Sequence, residues 1–120
     1  MVYRMLEEFQ SLVRDGYWAF KNEREERTAL DAGFQDDEQF SQLLLALNGR
    51  VMSEGGHFHK AYPQMDAGAY GCLDCLAFKI CWDVLERREG RSAQPYFMKL
   101  TVAHLHDGPI ALVVRFHRDL

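Results

Sequence analysis

Long apolar runs are missing from this chain of 120 residues. The longest aliphatic stretches, Leu43 to Leu47 and Ile110 to Val114, hold five residues each, where about 20 are needed to cross a bilayer as a helix. No membrane partner is therefore expected. The opening residues lack the apolar core of a secretory leader, because Arg4, Glu7, Glu8, Arg14 and Asp15 interrupt them. Cysteine is scarce, with three residues and so one left over from any pairing. A chain of this length buries roughly two-thirds of its unfolded surface and needs no covalent staples. Free thiols in a reducing, cytoplasmic compartment are the expectation. A basic excess is also missing: 14 Lys and Arg stand against 18 Asp and Glu, a formal net charge of −4. That balance argues against nucleic acid as the main partner, since a phosphate backbone calls for clustered cations. No nucleophile motif, phosphate-binding glycine loop or dinucleotide fingerprint is present; Gly68-Ala69-Tyr70-Gly71 reads as an irregular connection. The chain leans away from being an enzyme.

What the chain does have is alternation. Leu76, Phe78, Ile80, Trp82 and Val84 fall on one parity, as do Met98, Leu100 and Val102, and Leu112, Val114 and Phe116. Period-two spacing puts each set on one face of a sheet and places Lys79, Asp83, Lys99, Thr101 and Arg115 on the other. Residues 73 to 88 also fit a wide-faced helix, but unbroken alternation rich in Phe, Ile, Trp and Val favours a strand.

The first half is helical. Met5, Leu6, Phe9, Leu12 and Val13 form a stripe that Gly16 is placed to stop, although it continues to Tyr17 and Phe20. Asn22 and Glu25 have capping-box spacing before a short charged helix that Gly33 ends, with Leu30 as its only large apolar residue. Asp36 or Asp37 caps a further helix carrying Phe40, Leu43, Leu44 and Leu47, stopped by Asn48-Gly49. The expected fold is α+β: one domain over residues 1–120, helical in 1–49 and sheet in 50–120, with an antiparallel β-meander of three to four strands and the N-terminal helices on its apolar face. Leu76, Phe78, Ile80, Trp82, Leu100, Val102, Val114 and Phe116 should share that face. A three-residue Asp107-Gly108-Pro109 loop would keep it apolar by pairing Val102 with Val114 and Leu100 with Phe116.

Several groups carry candidate chemistry. His57, His59, Cys72 and Cys75 combine H-x-H with C-x2-C, residue types that suit tetrahedral zinc, although this order is not that of a standard finger. Zinc is the one cofactor the sequence suggests; otherwise none is expected. Cys72 and Cys75 also have the spacing of a redox pair, which would need a helix N-terminus that the strand assignment does not supply. His104, His106, Asp107 and His117 surround the last hairpin, but the expected register keeps His117 on the face opposite His104. Glu23 to Arg27 reads as a solvated face, and Glu86 to Arg91 as an exposed loop with arginines available to a partner. Tyr17, Trp18, Trp82 and Tyr96 are aromatic residues that would line a pocket or fill the core.

Gly56-His57-Phe58-His59-Lys60, the strands after it and the closing Phe116-His117-Arg118-Asp119 resemble a family of short uncharacterised bacterial proteins of unknown function. In that family a Gly-His-x-His-basic stretch lies near the N-terminus, a meander follows, and a His-Arg-Asp step leads into C-terminal helices. The resemblance covers residues 52 to 120 and implies no catalytic residues. Here the helices come first, so it implies a circularly permuted order, with Asp119 as a helix cap and the two termini close together.

Taken together, these features lead us to expect a bacterial-type, non-enzymatic protein-binding or inhibitory module of the immunity or adaptor kind. The other readings are a zinc protein through His57, His59, Cys72 and Cys75, and a small-molecule-binding α+β domain or enzyme. The partner would be another protein or a second copy. Ile110 to His117 has no internal proline and carries one charge, Arg115. Such a poorly protected edge strand favours a homodimer.

Overall fold

A computed structural model describes residues 2–119. Helix α1 (Val2–Arg14) buries Leu6, Phe9 and Val13, the stripe read from the sequence. It ends where expected. Gly16 takes φ +82°, its amide bonds the Val13 carbonyl, and the Tyr17 amide bonds Leu12 at 2.8 Å. This Schellman closure releases the chain into β1 (Trp18–Phe20) instead of continuing the helix. Helix α2 (Glu23–Asp31) begins at Asn22, whose side chain accepts the Glu25 amide. It packs through Glu25 and Ala29, while Leu30 is left exposed. Helix α3 (Asp37–Ala46) is capped by Asp36.

The remaining strands are β2 (Phe58–Asp66), β3 (Cys72–Asp83), β4 (Arg88–Glu89), β5 (Gln94–Leu105) and β6 (Gly108–Arg118). The fold is α+β, as expected, but the sheet is larger than the meander of three to four strands. It has six strands in the order β1-β6-β5-β3-β2, with β4 on β3, and it is mixed because β1 runs parallel to β6.

Residues 72–83 are strand, not helix. Leu76, Phe78, Ile80, Trp82, Leu100, Val102 and Phe116 pack into one core with Leu6, Phe9, Val13, Phe40, Leu44 and Leu47. Val114 does not. The last hairpin turns at His106-Asp107, pairing Leu105 with Gly108, and a bulge between Lys99 and Leu100 shifts the register. Val102 therefore faces Ala111, and Leu100 faces Val113. The extra residue lets Ala111, Val113 and Phe116 all reach the helices, while Leu112 and Val114 join Cys75 and Ala67 in a second cluster on the opposite face. Both parities of β6 are thus apolar, and alternation alone cannot choose between the two turns.

A second correction concerns the edge. β6 is an interior strand. The Ala111 amide bonds Tyr17, the Lys21 amide bonds Val113, and beyond β1 the Phe116 amide bonds the Glu25 carboxylate at 3.1 Å. The route to a homodimer through an exposed β6 is closed. The free long edge is β2, which carries Pro63, two register shifts and Gln64 at φ +53°. Such features hinder strand addition. Met1 and Leu120, the chain ends on which a permuted order bears, lie outside the described residues.

Candidate functional site

Three helices cover one face of the sheet. Among the described residues, the opposite face is covered only at one end, where the turn Gly68–Tyr70 folds over Leu112 and Val114. Beyond that turn the strand register builds ordered rows. Lys60 pairs with Ala77, Ala77 with Lys99, and Lys99 with Arg115. Neighbouring strands are about 4.8 Å apart, so three cations span roughly 14 Å across four strands. The adjacent row runs Lys79, Phe97, His117.

The long side chains lie along aromatic rings. Lys99 Nζ sits 4.1 Å from the Tyr62 ring centre and 5.8 Å from that of Phe97. Lys60 Nζ is 5.1 Å from Tyr62. His117 stacks on Phe97 at 5.0 Å, and His59 meets the same ring at 6.2 Å. Lys79 is neutralised by Asp119 at 3.2 Å. Among the described residues, none of Lys60, Lys99 and Arg115 forms an ion pair with a carboxylate. Burial pushes the Lys99 ammonium below the usual lysine range, and Arg115 beside it pushes the same way, as do Lys21 and Lys60. Like charges opposite one another destabilise a sheet, and among the described residues Lys99 and Arg115 face each other without a compensating acid.

The four residues read as zinc ligands are spread along the β2–β3 pair. His57 is buried just before β2, where its carbonyl accepts the Lys79 amide. His59 is exposed at a register shift. Cys75 lies opposite Tyr62, and Cys72 opposite Asp66. The Lys79 and Cys72 positions on β3 are about 23 Å apart at strand spacing, so the structure does not bring the set together. Among the described residues, no group of three or more His, Cys, Asp and Glu side chains is arranged to hold a metal ion.

His57 instead ties three segments. Its Nδ1 accepts the Asn48 amide at 2.9 Å, which fixes the proton on Nε2, and Nε2 donates to Glu89 at 2.7 Å. The imidazole thereby bridges the start of β2 and β4, which pair with neighbouring stretches of β3. Gly56 permits the approach, because a Cβ there would collide with the Arg50 carbonyl. Cys81 lines the same open pocket, but both ring nitrogens of His57 are engaged and neither is free to take a thiol proton.

The thiols are all free, with Cys72 exposed and Cys75 buried. Burial pushes the Cys75 thiol up to about 11. The histidines of the last hairpin also part company. His104 pairs with Glu8 of α1 at 3.4 Å, His106 and Asp107 form the turn, and His117 is on the open face. Of the aromatic residues considered for a pocket, Trp18, Trp82 and Tyr96 belong to the core and Tyr17 is exposed.

The sequence pattern already placed Lys79, Lys99 and Arg115 together on the outward face. Lys60 was missed, because the pairing of β2 with β3 is broken by two shifts that no local pattern announces. No family model, curated protein or solved structure matches the chain.

Proposed function

We propose that this protein is a non-enzymatic binding module that takes an acidic segment of a partner protein on its open sheet face. The observation that carries the reading is the row Lys60, Lys99 and Arg115, three cations without acid partners among the described residues, on a chain whose net charge is −4. An arrangement that weakens the sheet is explained if a ligand supplies the missing negative charge. A peptide suits it better than single-stranded nucleic acid. The rings of Tyr62 and Phe97 are already covered by Lys60, Lys99, His59 and His117, which leaves little ring surface for a base to stack on. Three free thiols support a reducing, cytoplasmic setting.

Fluorescence anisotropy with a labelled peptide rich in Asp and Glu tests the reading. Binding should weaken steeply with added salt and fall at least tenfold in Lys99→Glu. Equal binding by wild type and Lys99→Glu would overturn it, as would tighter binding of a single-stranded oligonucleotide.

A further inference from the structure

A separate feature lies on the helix side. Helix α1 rests on β5 and β6, and between it and the β2 edge a groove of about 470 Å³ stays open. That size falls within the range of about 300–1,000 Å³ typical of small-molecule sites. Leu76 and Val102 are nearly buried at its base, Met5 of α1 stands on one side, and Ala61 of β2 on the other. Two carboxylates also line it, Glu8 and Asp74. Glu8 already faces His104 at 3.4 Å. Asp74 Oδ1 accepts the backbone and side-chain N–H groups of Gln64 at 3.0 and 3.1 Å, while Oδ2 accepts none among the described residues.

We propose that this groove binds a small amphipathic amine. A hydrocarbon body covers Leu76, Val102 and Met5, and the ammonium reaches Asp74 Oδ2 with Glu8 close by. Both carboxylates are exposed, so they select the sign of the head group while the apolar wall takes the hydrocarbon body. An amine is favoured and a carboxylate of the same length is rejected. The site is independent of the cation row, and either stands if the other fails.

Amide chemical-shift titration with n-octylamine and with octanoate, each at millimolar concentration, tests the site. Octylamine should shift the resonances of Met5, Ala61, Leu76 and Val102, with octanoate at least tenfold weaker. Ala61→Trp, a substitution on an exposed edge strand, should fill the groove and abolish the shifts while cooperative melting is retained. Glu8→Gln with Asp74→Asn should erase the preference for the amine. Octanoate binding as well as octylamine would overturn the proposal. So would shifts that survive Ala61→Trp, or the absence of groove shifts with octylamine in the wild-type protein.

Discussion

The carboxylate of Glu25 accepts the amide proton of Phe116 at 3.1 Å, across 91 positions of sequence and at the point where β1 stops covering β6. Glu25 has the spacing of a capping box with Asn22, yet only half of that box is made. Asn22 accepts the Glu25 amide, and the glutamate side chain turns inward to serve the sheet. One residue thus links the start of α2 to the register of the strand carrying Arg115.

Glu25→Ala would leave the Phe116 amide buried and unpaired. The cost should be about 1–3 kcal/mol, read as a lower urea midpoint with unchanged slope. Glu25→Gln keeps an acceptor oxygen and should recover most of the loss.

His57→Ala should loosen the tie between the segment after α3, β2 and β4. Asn48 and Glu89 would lose their shared partner, at a cost of about 1–3 kcal/mol. Hydrogen exchange should quicken at Asn48 and around β4, while the amides of β5 and β6 keep their protection. Uniform acceleration across the sheet would argue against a local tie.

Much of the fold is legible because burial imposes a period. The α1 stripe, the β3 alternation and the Asn22 and Asp36 caps are read directly from residue spacing. The rest depends on tertiary choice. β1 is three residues long and forms only because β6 offers it a parallel edge. Leu112 and Val114 face a second cluster, so β6 is apolar on both sides and its register is not fixed by pattern. Residues 60, 99 and 115 are remote in sequence, and pairing alone makes them neighbours. His57 and His59 lie close in sequence, yet one is buried in a clasp and the other exposed, which a motif cannot show.

The buried thiol gives a pH dependence. Burial raises Cys75 from 9.0 to about 11, so the folded chain holds this proton more tightly than the unfolded chain. Its contribution to stability is complete below about pH 9 and is lost progressively as the pH rises toward about 11. Cys75→Ala should flatten that part of the curve in alkaline urea melts. In the native protein near pH 8 the exposed Cys72 should react first with a thiol reagent, and Cys75 only on unfolding. Mild reductant should leave the melting temperature unchanged.

If Lys60, Lys99 and Arg115 are kept in a row for an acidic partner at some cost to the sheet, binding and folding respond in opposite directions at Arg115. The most direct measurement is the affinity of Arg115→Glu for the acidic peptide, with its urea midpoint as the control for folding. Facing Lys99, the new glutamate forms an opposite-charge cross-strand pair that should raise stability by about 0.2–1 kcal/mol. Affinity should fall at least tenfold in the same protein. A variant that folds as well as wild type and binds the peptide as tightly would contradict the account.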